Sequence, residues 1–201
     1  MTIKRQIIRR WLIGLSLVVA IALLYIVLSN RPQSTSSTSE VRRQQDTVSV
    51  SHSQQLPDRL EIPKINVESV ILGLGVNESG DMDAPTNIKE TGWYKYGPKP
   101  GAKGTAVIAG HYGWKNGDAA IFNDLNQLVE GDKVVITDKS GRKSTFSVTK
   151  TAIFDPNQDA TEVFTSTDGK SHLNLITCQG TWNNTQNTYS ERLVVFTDRD
   201  D

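Results

Sequence analysis

The sequence predicts an all-β domain, a closed barrel or a sandwich, carried behind an N-terminal membrane helix. Three observations lead there. From Leu56 onward, apolar runs of strand length alternate with turn signals. No stretch of that region keeps a 3.6-residue apolar period long enough for a helical bundle. A long uncharged segment at the start stands apart in composition from everything after it. A chain of 201 residues holds one domain of ordinary size and a modest appendage.

The elements follow in chain order. Residues 1–10 are a basic N-terminus, with Lys4, Arg5, Arg9 and Arg10 and no acid among them. Residues 11–28, WLIGLSLVVAIALLYIVL, are an uncharged run of 18 residues, at the short end of what a helix needs to cross a bilayer. A signal peptide would show a small-residue cleavage site, whereas Tyr25 to Leu28 runs straight into Ser29-Asn30-Arg31-Pro32, so the run is read as an uncleaved span. Bases lead the span and only Arg31 follows closely, which places the N-terminus in the cytoplasm and the rest outside the cell membrane. Residues 29–55 are rich in Ser, Thr and Gln and lack apolar periodicity, as a flexible tether does. A coil of that length reaches on the order of 25 to 30 Å.

Residues 56–198 form the working domain. Strands are predicted at Arg59 to Ile62, Val67 to Leu72, Thr105 to Ala109, Lys133 to Thr137, Thr145 to Phe154, Leu173 to Thr177 and Leu193 to Thr197. Between them stand turn formers such as Pro63, Gly73, Pro98-Lys99-Pro100-Gly101, Gly131-Asp132 and Ser140-Gly141. One or two helical turns are predicted over residues 119–128, where Ile121, Phe122, Leu125 and Leu128 share a face that would cap the barrel.

Composition narrows the function. Lys+Arg and Asp+Glu number 22 each. Taking the four N-terminal bases from 22 leaves 18 bases against 22 acids, a mildly acidic remainder that excludes nucleic acid as the expected partner. The single cysteine, Cys178, excludes an internal disulfide and a multi-cysteine zinc site. Asp118, Asp124, Asp155, Asp159 and Glu162 are scattered, so no obligatory metal and no cofactor are expected.

Cys178 ends the strand-like run Leu173 to Thr177 and is followed by Gln179-Gly180, a turn-prone pair. Alternation sends Asn174, Ile176 and Cys178 to one face and Leu173, Leu175 and Thr177 to the other. The thiol is either a small buried hydrophobe or a nucleophile within reach of substrate. Of three histidines, His52 lies in the tether, and His172 is six positions from Cys178 along one extended strand, too far to touch it. His111 follows the small-residue strand Thr105 to Gly110 and is the candidate base; the alternative is a loop histidine bonded to water or backbone. Arg192 opens the last strand and shares a face with Val194 and Phe196. A guanidinium there needs an acceptor, either a carbonyl or oxyanion, or a surface carboxylate such as Glu191, Asp198 or Glu162.

Ala109-Gly-His111, Leu175-Ile-Thr-Cys178 and Glu191-Arg192-Leu-Val-Val together resemble the three signature positions of sortases, in that family's order. The resemblance extends from about Arg59 to Phe196 through Leu60-Glu-Ile-Pro-Lys-Ile, Gly92-Trp-Tyr, Phe122-Asn-Asp-Leu and Val129-Glu-Gly-Asp-Lys-Val. It implies an eight-stranded β-barrel behind a membrane span, closest to class F and otherwise to class E or D. It further implies a cysteine transpeptidase of the cell surface of a Gram-positive-type bacterium. Cys178 would form an acyl-thioester at the threonine of an LPxTG-like sorting signal on a surface protein. An amine of a cell-wall precursor of the lipid II type, or a pilin lysine, would resolve it. His111 would carry protons, Arg192 would stabilise the substrate or oxyanion, and Thr177 would be a substrate contact, with loops 154–171 and 179–191 forming the groove.

Two other readings compete. Papain-like enzymes place cysteine before histidine and L,D-transpeptidases surround their cysteine with Gly and Arg, and neither pattern fits here. A tethered adhesion or scaffold module would bury Cys178 as an inert core residue.

Overall fold

The computed structural model describes residues 55–113 and 118–201. The basic N-terminus, the apolar run 11–28, His52 and nearly all of the tether lie outside the described residues. Among the described residues no helix is long and apolar enough to cross a membrane.

Eight strands close into one barrel: β1 Pro57–Ile62, β2 Val67–Leu74, β3 Thr91–Tyr94, β4 Gly104–Gly110, β5 Lys133–Asp138, β6 Lys143–Phe154, β7 Ser171–Asn183 and β8 Thr188–Arg199. Their order around the barrel is β1-β2-β3-β4-β7-β8-β6-β5. Two neighbouring pairs are parallel, β2 with β3 and β4 with β7, and the others are antiparallel. Inward residues from every strand fill the interior, among them Leu60, Ile62, Trp93, Ile108, Val134, Phe146, Leu173, Leu175 and Val195. Closure leaves no long sheet edge to pair with another chain.

All seven predicted strands are present, and β3 is an eighth. It escaped periodicity because it has four residues, one of them Gly92, while its two central side-chain positions are both buried. β7 and β8 also run well beyond the predicted limits. The segment from Gln179 to Tyr189, expected as a loop, is the tip of a β-hairpin in which Trp182 pairs with Tyr189 and Asn183 with Thr188. Residues 180–187 are all exposed, so no apolar alternation marks them. A bulge between Gln179 and Trp182 absorbs an extra residue at Gly180. Gly180 has φ +86°, and a Cβ there would meet Ser190 Oγ at 2.3 Å.

The predicted helix over residues 119–128 is instead a run of turns ending in the 3-10 turn Leu125–Gln127. The backbone N–H groups of Ile121 and Phe122 donate to the carbonyls of Ile88 and His111, and the Asn123 side chain accepts from Ala120 and Gly113. Donors spent on distant partners cannot build the i to i−4 ladder. The apolar face was read correctly: Phe122, Leu125 and Leu128 are buried in the barrel core. One short helix was not predicted, α1 Thr161–Phe164 in the β6–β7 connection. It packs on the outer face of the sheet with Phe154, Ile176, Val194 and Phe196, and the buried Asn174 amide donates to the Val163 carbonyl at 2.7 Å.

Candidate active site

Strand register assembles the site. In the β4–β7 pair Ala109 stands opposite Ile176, so two residues further on His111 comes level with Cys178. In the β7–β8 pair Cys178 stands directly opposite Arg192. The three predicted residues therefore stand at one level, Cys178 and Arg192 on adjacent strands and His111 one residue past β4. Alternation gives Cys178 and Arg192 a common face as well. Leu173 and Leu175 point into the barrel, whereas Ile176, Val194 and Phe196 belong to the outer cluster under α1, and Cys178 and Arg192 follow the parity of the latter.

Cys178 lies inside β7 rather than at its end, because the hairpin continues past it. It is partly buried. Burial pushes the thiol above its usual range, and the positive charge of Arg192 pulls it partway back. The resting group is a neutral thiol, and a proton acceptor must take its hydrogen before it can act as a nucleophile.

Arg192 donates through Nη1 to the carbonyls of Tyr189 (3.1 Å) and Glu191 (3.0 Å), and through Nη2 to the hydroxyl of Thr188 (2.9 Å). No ion pair to a carboxylate is present for it among the described residues, so the surface salt bridge is not what holds it. Those three bonds use three of the five N–H groups of a guanidinium.

His111 stands one residue past β4. Its Nε2 is 2.7 Å from the Pro85 carbonyl oxygen, in the long connection between β2 and β3. Gly110, just before it, leaves room for the Phe122 ring: a Cβ there would sit 2.5 Å from Phe122 Cδ2. Thr177 is buried at 3% exposure in the barrel, and its hydroxyl donates to the Gly110 carbonyl at 2.8 Å. That bond ties the residue before Cys178 to the residue before His111.

An aromatic group flanks the site. Tyr189 meets Tyr112 edge-on at 5.4 Å between centroids and Trp182 at 5.1 Å. Burial, then the neighbouring Cys178 and Tyr112, push the Tyr189 phenol upward, so it stays protonated. Its hydroxyl lies over Gly113, where a Cβ would approach within 2.6 Å. Tyr112 adjoins His111 and Tyr189 is three residues from Arg192, so sequence proximity to the site was the available signal. The other histidine among the described residues, His172, lies near the start of β7, held between Asp198 at Nδ1 (2.7 Å) and Asp168 at Nε2 (3.0 Å).

A family model described as the sortase domain matches residues 60–200. No curated protein sequence matches the chain. Among solved structures, the chain is similar to sortase C-1 from Actinomyces oris, at 25% identity over 71% of this chain and 73% of that one, with a TM-score of 0.54. It is equally similar to the pilus island 1 sortase C2 of group B Streptococcus, at 25% identity over 74% and 75% of the two chains and a TM-score of 0.54. A Clostridium perfringens sortase D5 transpeptidase shares the fold at 18% identity, over 71% and 78% of the two chains, with a TM-score of 0.51. The domain match takes in every strand from β2 to β8, together with all three residues that register brings to one level, and the chain belongs to the sortase family of cysteine transpeptidases.

Proposed function

We propose that the protein is a membrane-anchored transpeptidase that cleaves an LPxTG-like sorting signal between Thr and Gly and transfers the acyl part to an amine. The observation that carries this reading is that Cys178 and Arg192 stand opposite each other on one face of β7 and β8, while the β4–β7 register brings His111, one residue past β4, level with them. His111 takes the Sγ proton and the Cys178 thiolate attacks the threonine carbonyl. The tetrahedral oxyanion, or the substrate backbone carbonyl, accepts from the guanidinium of Arg192. Collapse breaks the Thr–Gly amide, forms the thioester, and sends the proton from His111 to the leaving amine. The incoming amine then gives a proton to His111, attacks the thioester, and releases Cys178.

The acceptor is an amine of a lipid II-type wall precursor or a pilin lysine, and the donor is a surface protein. The apolar run 11–28 with its leading bases supports a single-pass anchor with the N-terminus in the cytoplasm. The Gly92-Trp-Tyr and Leu-Ile-Thr-Cys strings support class F, with E and D next. The bond from Thr177 to Gly110 supports a role in aligning β4 with β7, and the exposed Trp182 supports the hairpin as one wall of the groove.

The test is incubation with quenched LPxTG-like peptides, with and without an added amine, beside Cys178→Ala. Amine-capped product that requires Cys178, identified by mass spectrometry, is expected. Peptides left intact by the wild-type chain would contradict it.

A further inference from the structure

We infer that Pro85 is a positioning residue for His111: its main-chain carbonyl fixes the imidazole through Nε2 and makes Nδ1 the nitrogen that exchanges protons. The inference rests on the reading of His111 as the proton carrier and specifies how the fold prepares it.

The argument begins with topology. β2 and β3 are parallel neighbours, so the chain must cross from one end of the barrel to the other between them. The crossover, residues 75–90, contains no α-helix. Its first part closes on itself: the side-chain oxygen of Asn77 accepts from the N–H groups of Ser79 and Asp81. Its last part is fastened to the histidine end of the barrel. The Ile88 carbonyl accepts from Ile121, the Lys89 ammonium reaches the Ala119 carbonyl, and Ser69 Oγ donates to the Lys89 carbonyl. Pro85 sits between these anchored parts and is buried.

Its ring lies beside Gly92 of β3. A Cβ on Gly92 would lie 2.3 Å from Leu74 Cδ1 and 3.6 Å, an ordinary contact, from Pro85 Cδ, so Leu74 packs where a side chain would otherwise stand and the Pro85 ring lies beside that place. Gly92 is itself opposite Ala109, two residues before His111. The ring is thus set against β3, and its carbonyl reaches the imidazole at 2.7 Å. Proline has no N–H, so its backbone brings only an acceptor to this contact. A carbonyl oxygen cannot donate. Nε2 must therefore hold a hydrogen in the neutral as well as the charged ring, and in the neutral ring Nδ1 is the basic nitrogen. The contact also limits rotation of the ring, which matters because a misplacement of about 1 Å can cost on the order of a hundredfold in rate.

The test uses the full chain in detergent micelles, labelled with nitrogen-15 in its histidine rings, with His111 assigned by a His111→Asn sample. The neutral ring of the wild type is expected as the Nε2–H tautomer. Gly92→Ala, which forces Leu74 out of its place beside the Pro85 ring and so loosens the packing around it, is expected to mix the tautomers and lower kcat about tenfold or more while KM changes less than about twofold. Should that variant fail to fold, an ester in place of the amide between Pro85 and Thr86 weakens the acceptor without adding side-chain volume, and the same tautomer mixing and kcat loss are expected. An Nδ1–H tautomer in the wild type would overturn the inference, as would an ester variant with an unaltered tautomer and kcat. A wild-type chain showing the Nε2–H tautomer but cutting no sorting peptide would instead overturn the function on which it rests.

Discussion

Replacing Thr177 by valine keeps the shape of a buried side chain and removes one hydroxyl. In the native barrel that hydroxyl donates to the Gly110 carbonyl at 2.8 Å, with Thr177 only 3% exposed. Valine cannot donate, so the part-buried carbonyl loses a partner at a cost of about 1–3 kcal/mol. A domain of this size shifts its melting temperature by roughly 2–4 °C for each kcal/mol, which puts Thr177→Val about 2–12 °C below the wild type. Because the bond joins the residue preceding Cys178 to the residue preceding His111, kcat falls with it while KM stays near the wild-type value. Thr177→Ser keeps the donor and gives up a methyl, so it should lose stability through packing, by about 1 kcal/mol, with kcat largely retained. Scanning calorimetry and steady-state kinetics on the three proteins measure this. An unchanged melting temperature with a raised KM in Thr177→Val would refute the reasoning and make the hydroxyl a substrate contact.

Three other outcomes are expected. Arg192→Gln removes the charge that offsets burial of the Cys178 thiol, so its alkylation by iodoacetamide at pH 8 slows, and Arg192→Lys recovers part of the rate; equal rates in all three proteins would contradict the coupling. Burial pulls the pKa of His172 down, but hydrogen bonds and charge from Asp168 and Asp198 outweigh it and leave it raised above 6.5. Its stabilisation is complete below the unfolded value and is lost as pH rises through the raised folded value; calorimetry should show that loss in the wild type and its absence in His172→Gln. Gly110→Ala forces a Cβ to within 2.5 Å of the Phe122 ring and should destabilise by about 1–3 kcal/mol as overpacking, read from urea unfolding.

Strand positions were legible wherever one face meets the core and the other meets solvent or the outer cluster, as in Leu173 to Cys178. The parity of Asn174, Ile176 and Cys178 against Leu173 and Leu175 came directly from that alternation and reappears in the two clusters. The hairpin beyond Cys178 was illegible because pairing there is carried by the backbone, with mostly polar, exposed side chains around the Trp182–Tyr189 pair and a bulge at Gly180 breaking the period. The turns over residues 119–128 kept their apolar face but not their helix, since Asn123 and distant carbonyls claim the donors. Order along the chain suggested His111, Cys178 and Arg192, but only the parallel β4–β7 pairing explains how residues so far apart in sequence come level. Pro85 could not have been found from sequence, because its contribution is a main-chain carbonyl delivered by a crossover, and no side-chain pattern marks it.

The central claim is that Cys178 carries an acyl group from a sorting signal. Intact-mass spectrometry tests it: the wild-type chain is incubated with an LPxTG-like peptide in the absence of amine, and the protein is then digested to locate any adduct. A mass gain equal to the fragment ending in threonine, placed on Cys178, discharged by an added amine and absent from Cys178→Ala, is the predicted result. No adduct with any such peptide, together with a folded-state Cys178 inert to methanethiosulfonate, would contradict the account and leave a β-barrel with a buried, unreactive thiol.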